Sequence, residues 1–175
     1  MTPEEQRFMT RDLILSRDGS HTLELPLMGE TYHSKHGAVT ESMYIYITKG
    51  LHTVDQEEVK IFEVGFGTGL NPWLTYFEAL NTHKKINLHT IEAYPLNKEE
   101  YKYINYANIK RYENGQDVFM KLHDCSWNET HQISDHFSFT KHLHKLENFD
   151  TQETDFDLVY YDAYAPNHQE DMWSV

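Results

Sequence analysis

Apolar and polar positions change period twice along this chain. Two short runs, Asp12 to Ser16 and His21 to Leu25, flank Arg17-Asp18-Gly19-Ser20, a turn signal between strand-like segments, and together they predict a β-hairpin. From Gly37 to Gly50 the spacing becomes three and four, with Val39, Met43, Tyr44, Ile47 and Leu51 falling together, which predicts an amphipathic helix closed by a glycine. His52 to Glu58 reads as a charged loop. Beyond Val59, strand and helix alternate: Lys60 to Val64 as a strand, Gly65 to Gly69 as a turn, and Leu70 to Leu80 as a helix that tolerates Pro72 in its first turn. Ile86 to Glu92 follows as a second strand and a helix is expected over 97–105, which is the order of a parallel βαβ unit.

After Arg111 the pattern weakens. Asp117 to Leu122 predicts a short helix, His131 to Leu146 one or two strands, and Phe156 to Tyr161 an apolar strand that runs into Asp162-Ala-Tyr-Ala-Pro166. The expected division is an N-terminal hairpin and helix extension, 1–58, and an α/β core, 59–175, effectively one domain. An open parallel sheet usually has more strands than these, so the C-terminal strands are expected to be missing from the chain.

Composition narrows the reading. A chain of 175 residues with 39% hydrophobic content can bury one core, and no run approaches the roughly 18 to 20 apolar residues that span a membrane. The N-terminus lacks the apolar centre of a signal peptide, and the one cysteine, Cys125, excludes an internal disulfide, so a cytoplasmic protein with no membrane partner is expected. The formal net charge of −13 argues against nonspecific attraction to a polyanion, and residues 112–175 hold 13 Asp/Glu against 3 Lys/Arg. A nucleic-acid surface would fall on Lys98, Lys102, Lys110 and Arg111. Twelve histidines raise the question of a metal; His142-x-His144 has no completing ligand at the right spacing, and no metal is expected.

The strongest motif is Phe62-Glu-Val-Gly-Phe-Gly-Thr-Gly-Leu-Asn71 at the first strand-to-helix turn. Gly65, Gly67 and Gly69 let the backbone turn sharply and approach a ligand, and the next helix would present free N–H groups to a carboxylate or phosphate. The even glycine spacing does not fit the dinucleotide fingerprint, and Glu63 would repel a diphosphate but suits a cationic ligand. Glu92, at the end of the second strand, is placed to hydrogen-bond both hydroxyls of a ribose. Asn114-Gly-Gln-Asp117 follows a possible third strand, and Asp117 reads equally as an acceptor for an adenine amino group or as a helix cap. Asp162, at the carboxyl edge of the last strand, can hold a cationic amine and accept its proton while Tyr164 stacks on a flat ring.

The glycine motif paired with Asp162-Ala-Tyr-Ala-Pro-Asn-His-Gln-Glu-Asp-Met-Trp173 resembles the tRNA 5-(aminomethyl)(-2-thio)uridine methyltransferase family, and Asp18-Gly-Ser20 with Glu30-Thr-Tyr-His-Ser34 resembles its N-terminal segment. The resemblance implies a Rossmann-like α/β fold, S-adenosyl-L-methionine as cofactor, and methyl transfer to the exocyclic amine of the tRNA wobble uridine. It further implies the stand-alone form of the methyltransferase domain, with any flavin-dependent oxidase a separate upstream partner. Asn71 joins Glu63, the three glycines, Glu92 and Asp117 as the implied cofactor site, and Asp162 is the implied catalytic residue. Tyr32 and Ser34 are implied to close the pocket with Tyr164. Alternatives on the same fold are a polyamine aminopropyltransferase and a catalytically silent adenosyl-binding module.

Overall fold

The alternating runs of the second half assemble into one sheet in the computed structural model, which describes residues 1–151 and 155–164. Its strands are β4 (Glu58–Val64), β5 (Lys85–Glu92), β6 (Thr130–Ser134), β7 (Phe137–Leu143) and β8 (Leu158–Tyr161), in the order β6-β7-β5-β4-β8. β4, β5, β7 and β8 are parallel, while β6 returns antiparallel to β7. Period two explains the core. Val59 and Ile61 of β4, Ile86 and Leu88 of β5, and Phe137 and Phe139 of β7 join one buried cluster with Trp73 and Leu74 of helix α3 (Leu70–Thr82) and Phe119 and Leu122 of helix α6 (Gly115–Asp124). Burying each such side chain contributes roughly 1.5–3 kcal/mol.

The hairpin forms as expected, β1 (Asp12–Leu15) on β2 (His21–Leu25), and a short β3 (Glu30–Thr31) adds to β2. Asp18 ties the hairpin turn to the next helix by accepting from the Ser20 and Thr40 backbone N–H groups, at 3.0 and 2.9 Å. That helix, α2 (Ala38–Ser42), continues as a π-helical stretch over Met43–Thr48, a widening the three-and-four spacing did not announce. Ahead of the hairpin, Pro3–Met9 forms α1, capped by Thr2 and Glu5.

Two expectations are corrected. The single helix over 97–105 is two short ones, α4 (Lys98–Tyr101) and α5 (Tyr106–Lys110). Asn105 breaks it, because its side chain accepts from His21 N–H at 2.8 Å and donates to Gly19 carbonyl oxygen at 2.9 Å, pinning the hairpin turn. No strand forms between Glu92 and Asn114; the third parallel strand is β7. The Met172-Trp173 pair and Pro166 lie outside the described residues.

From β4 the chain winds outward through β5 to β7, then crosses back so that β8 pairs with the other side of β4. Connections on the two sides of β4 diverge there, which opens a crevice beyond the carboxyl ends of the strands.

Candidate functional site

A cavity of about 550 Å³ occupies that crevice. The turn after β4 supplies Gly65, Phe66 and Gly67, the end of β5 supplies Glu92 and Tyr94, and the segment after β7 supplies His144 to Glu147. Asp162 and Tyr164 enter after β8, Tyr32 and His33 after β3, and Glu4, Arg7 and Phe8 from α1.

The glycine turn works by close packing within the protein. Gly65 and Gly67 have φ of +92° and +52°, and a Cβ on them would lie 2.9 Å from the Asp162 carbonyl oxygen and 3.0 Å from Tyr32 Cδ1. The Gly65 and Phe66 amides donate to the Ile91 carbonyl at 3.0 and 3.2 Å, Gly69 donates to Phe66 carbonyl at 2.8 Å, and Gly67 donates to Glu92 Oε2 at 2.9 Å. These four amides are therefore engaged inside the fold instead of facing a ligand. The turn draws the ends of β5 and β8 together.

Glu92 lines the cavity with both oxygens fixed, since Oε1 accepts the Tyr94 N–H at 2.8 Å. A carboxylate has about four acceptor sites, so two remain for hydroxyls. Asp162 accepts from Asn71 Nδ2 at 2.9 Å and lies 3.9 Å from His33 Nδ1. Tyr164 meets Tyr32 edge to face at 5.6 Å, and burial pushes the Tyr32 phenol up to about 12, so both rings are neutral walls.

Other predicted residues stand elsewhere. Glu63 is 0% exposed, on the α3 side of β4 behind the turn, and its carboxyl oxygens have no hydrogen-bond partner within bonding geometry. Burial drives its pKa well above the carboxylate range, with the charge of Asp162 adding to the effect against the Thr90 hydroxyl and Asn71. It lies behind the turn and does not line the cavity, and its burial favours the neutral acid. Gly69 packs at His123, whose burial pushes its pKa down to about 3. Asp117 is exposed in the first turn of α6, where Asn114 and not Asp117 is the N-cap and no side chain caps the helix, and it lines no part of the cavity. Ser34 Oγ accepts the His36 N–H at 3.1 Å in a turn beside the cavity wall.

Sequence reasoning missed α1, Arg11 and the segment after β7. Arg11 donates to Glu100 at 3.1 Å and to the Tyr94 carbonyl, with its guanidinium 6.0 Å over the Tyr32 ring. The signal for α1 was present, because Thr2-Pro3-Glu4-Glu5 has a capping residue, Pro at the first helical position and Glu three residues on. His142 Nε2 lies 3.1 Å from His89 Nδ1, and among the described residues no group of three His, Cys, Asp or Glu side chains could hold a metal. Lys98 pairs with Asp124 at 3.4 Å and Lys102 with Glu99, so part of the basic run is neutralised locally. Among the described residues no helix is long and apolar enough to cross a membrane.

A mostly parallel sheet that reverses beside β4, with a glycine turn after that strand and acids ending β5 and β8, is the Rossmann-like fold of methyltransferases. Its relatives are specific. The chain is similar to the tRNA 5-methylaminomethyl-2-thiouridine biosynthesis bifunctional protein MnmC of Burkholderia mallei, 25% identical over 194 residues that take in 96% of this chain and 28% of that protein. It is likewise similar to the protein of the same name from Burkholderia thailandensis, at 24% identity over 186 residues. The crystal structure of MnmC2 from Aquifex aeolicus shares the fold with a TM-score of 0.74 at 20% identity, covering 99% of this chain and 61% of that one. The chain thus spans little more than a quarter of the length of these curated relatives. No family model matches it.

Proposed function

We propose that this chain is an S-adenosyl-L-methionine-dependent methyltransferase acting on the exocyclic primary amine of 5-aminomethyl-(2-thio)uridine at the wobble position of tRNA. The observation that carries the reading is the charge of the cavity: Glu4, Glu30, Glu92, Glu147 and Asp162 line it against Arg7 and Lys145. An acidic wall attracts a sulfonium and an amine and repels a diphosphate, which disfavours a nicotinamide dinucleotide. The residual acceptor capacity of Glu92 suits a ribose, and the aromatic walls Phe8, Tyr32, Tyr94 and Tyr164 suit planar rings. The similarity to the MnmC proteins supports tRNA as substrate.

The cofactor, when bound, supplies an electrophilic methyl group. Glu92 would hold it at the ribose, with Gly65 and Gly67 shaping the wall beside it. Asp162, fixed by Asn71, orients the neutral substrate amine and takes up the proton that leaves, so catalysis comes largely from positioning. Tyr32 and Tyr164 flank the base. Recognition of a splayed-out base by stacking and edge contacts tolerates an acidic enzyme, and Arg7 and Lys145 stand at the cavity for the backbone. A separate flavin-dependent oxidase would act upstream.

Isothermal titration of S-adenosylhomocysteine, followed by methyl transfer to tRNA carrying 5-aminomethyluridine, tests the reading. Binding with transfer is expected. Asp162→Ala should abolish transfer while leaving binding largely intact; loss of binding in that variant refutes the division of roles. The same acid excess fits a diamine, so aminopropyl transfer to putrescine without transfer to tRNA would establish the aminopropyltransferase instead. Binding with neither activity indicates a silent module.

A further inference from the structure

His33 has no part in the roles above, although it is the cavity residue that approaches Asp162 from the N-terminal segment. Its backbone N–H donates to Thr22 Oγ1 at 3.0 Å, and the residue is 8% exposed. Nδ1 lies 3.9 Å from Asp162 Oδ2, and Nε2 lies 2.8 Å from Thr68 Oγ1. Thr68 is fully buried and accepts the Tyr106 O–H at 2.8 Å.

These contacts select one tautomer. A hydroxyl has one proton to give. With Tyr106 donating into Thr68, the Thr68 proton goes to His33 Nε2, and a ring nitrogen that accepts carries no proton. The imidazole proton then sits on Nδ1, the nitrogen facing Asp162. The opposite tautomer would direct a second donor at Thr68 Oγ1 and leave the buried Thr68 proton without this acceptor, at a cost of about 1–3 kcal/mol. Burial holds the His33 pKa below the ordinary histidine value against the nearby charges of Asp162 and Glu41, so the ring is neutral at pH 7. The contact with Asp162 is thus a neutral N–H facing a carboxylate, not an ion pair. At 3.9 Å it is longer than a hydrogen bond, and such contacts often tighten only when substrate is bound.

We infer that His33 is a positioning residue for the reaction: the relay from Tyr106 through Thr68 sets its Nδ1–H toward Asp162 Oδ2, where it joins Asn71 Nδ2 in fixing the carboxylate that meets the substrate amine. Two N–H groups converging on one oxygen oppose rotation of the carboxylate. The kinetic half of this inference rests on the methyl-transfer reading; the tautomer does not.

The first test is long-range ¹H–¹⁵N correlation on the labelled intact chain at pH 7. Protonation of Nδ1 alone is expected; an Nε2–H ring or an imidazolium overturns the relay. The second test compares His33→Leu, which removes the donor, with His33→Asn, whose Nδ2 stands near the place of Nδ1. His33→Leu should lower kcat about 100-fold, the scale of a misplaced reacting group, with S-adenosylhomocysteine affinity and KM within about threefold, and His33→Asn should recover about tenfold. A fall in affinity or KM equal to the fall in kcat, without recovery by Asn, assigns His33 a purely structural role and overturns the inference. If His33→Leu does not fold, Tyr106→Phe serves, because it keeps the ring packing and removes the proton that starts the relay. That variant should show Nε2–H signal and a reduced kcat, and an unchanged tautomer with unchanged kcat refutes the relay. A wild type that neither binds S-adenosylhomocysteine nor transfers methyl overturns the functional reading and the kinetic role with it, while the tautomer still decides whether the relay exists.

Discussion

On the β4 side of the cavity the backbone has no slack: the Gly65 and Gly67 amides are tied to β5, and a Cβ on Gly65 would strike the Asp162 carbonyl. On the opposite side α1 is fastened from the surface, where Glu4 accepts from Tyr94 Oη at 2.8 Å and from Lys145 Nζ at 2.6 Å while Phe8 stacks on Tyr94 at 4.7 Å. The first wall carries Glu92 and Asp162, which need fixed geometry. The second wall covers them with exposed polar contacts around one buried ring, Phe8. On the proposed reading the groups that hold atoms in place sit on the buried side, and α1, with one buried side chain, is the element expected to open at least cost.

The largest effect expected from breaking this contrast is at Gly65→Ala. A residue with a Cβ at φ +92° is strained by about 1–3 kcal/mol before its contact at 2.9 Å is counted, and relief requires the Asp162 backbone to move. Urea unfolding should show a loss of that order or more, and methyl transfer should disappear even in the folded fraction. A variant with unchanged midpoint and activity would show that the β4 wall has slack after all.

Glu63→Gln sharpens the same wall. Burial raises the Glu63 pKa above its ordinary 4.5, so its contribution to stability is complete below pH 4.5 and is lost as pH rises through the folded value. The amide cannot ionise. The difference in unfolding midpoint, variant minus wild type, should therefore grow in favour of Gln as pH rises above 4.5, with S-adenosylhomocysteine binding retained. Loss of binding would mean that Glu63 acts as an anion toward the cofactor.

How well the two walls could be read from sequence differs for the same physical reason. β4, the glycine turn and β5 announce themselves, because Val59, Ile61, Ile86 and Leu88 recur at period two toward the core and the turn needs residues with positive φ. Glu92 and Asp162 follow by position at strand ends. The third strand was not legible ahead of Asp117, because Tyr106 and Ile109 belong to a helix, while the strand itself, Phe137–Leu143, pairs with an antiparallel neighbour across a short Asp135-His136 connection. The cavity segment that follows it, His144 to Glu147, has no motif of its own. α1 offers one buried apolar residue, Phe8, too little for periodicity, although its capping signature was legible. The burial of Glu63 was not readable either, since an acid at a strand end reads as exposed while β4 places it on the same buried face as Val59 and Ile61.

Phe8→Ala tests the covering wall. Phe8 packs on Tyr94 and lies 6.0 Å from the Tyr164 ring, so removing it should undock α1 without touching the sheet core. Backbone amides of residues 1–11 should exchange faster while those of β4 and β5 keep their protection. Affinity for S-adenosylhomocysteine should fall about tenfold, equivalent to about 1.4 kcal/mol. Equal loss of protection in β4 would make α1 part of the core and erase the contrast.

The smallest effect expected is at Glu4→Gln. The Lys145 and Tyr94 hydrogen bonds hold the Glu4 pKa below its ordinary 4.5, so its stabilisation is present above pH 4.5 and is lost as pH falls through the lowered value. Glu4 and Lys145 are both largely exposed, and such pairs contribute about 0–1 kcal/mol, screened by salt. Amide exchange in α1 should therefore rise only slightly in Glu4→Gln at neutral pH and low salt, and the difference from wild type should shrink in 1 M salt, where the Debye length is about 3 Å. It should also vanish once acid has protonated Glu4 in the wild type. A large effect that persists in high salt would mean that the Tyr94 hydroxyl, not the charge of Lys145, is what Glu4 uses to hold α1 against the cavity.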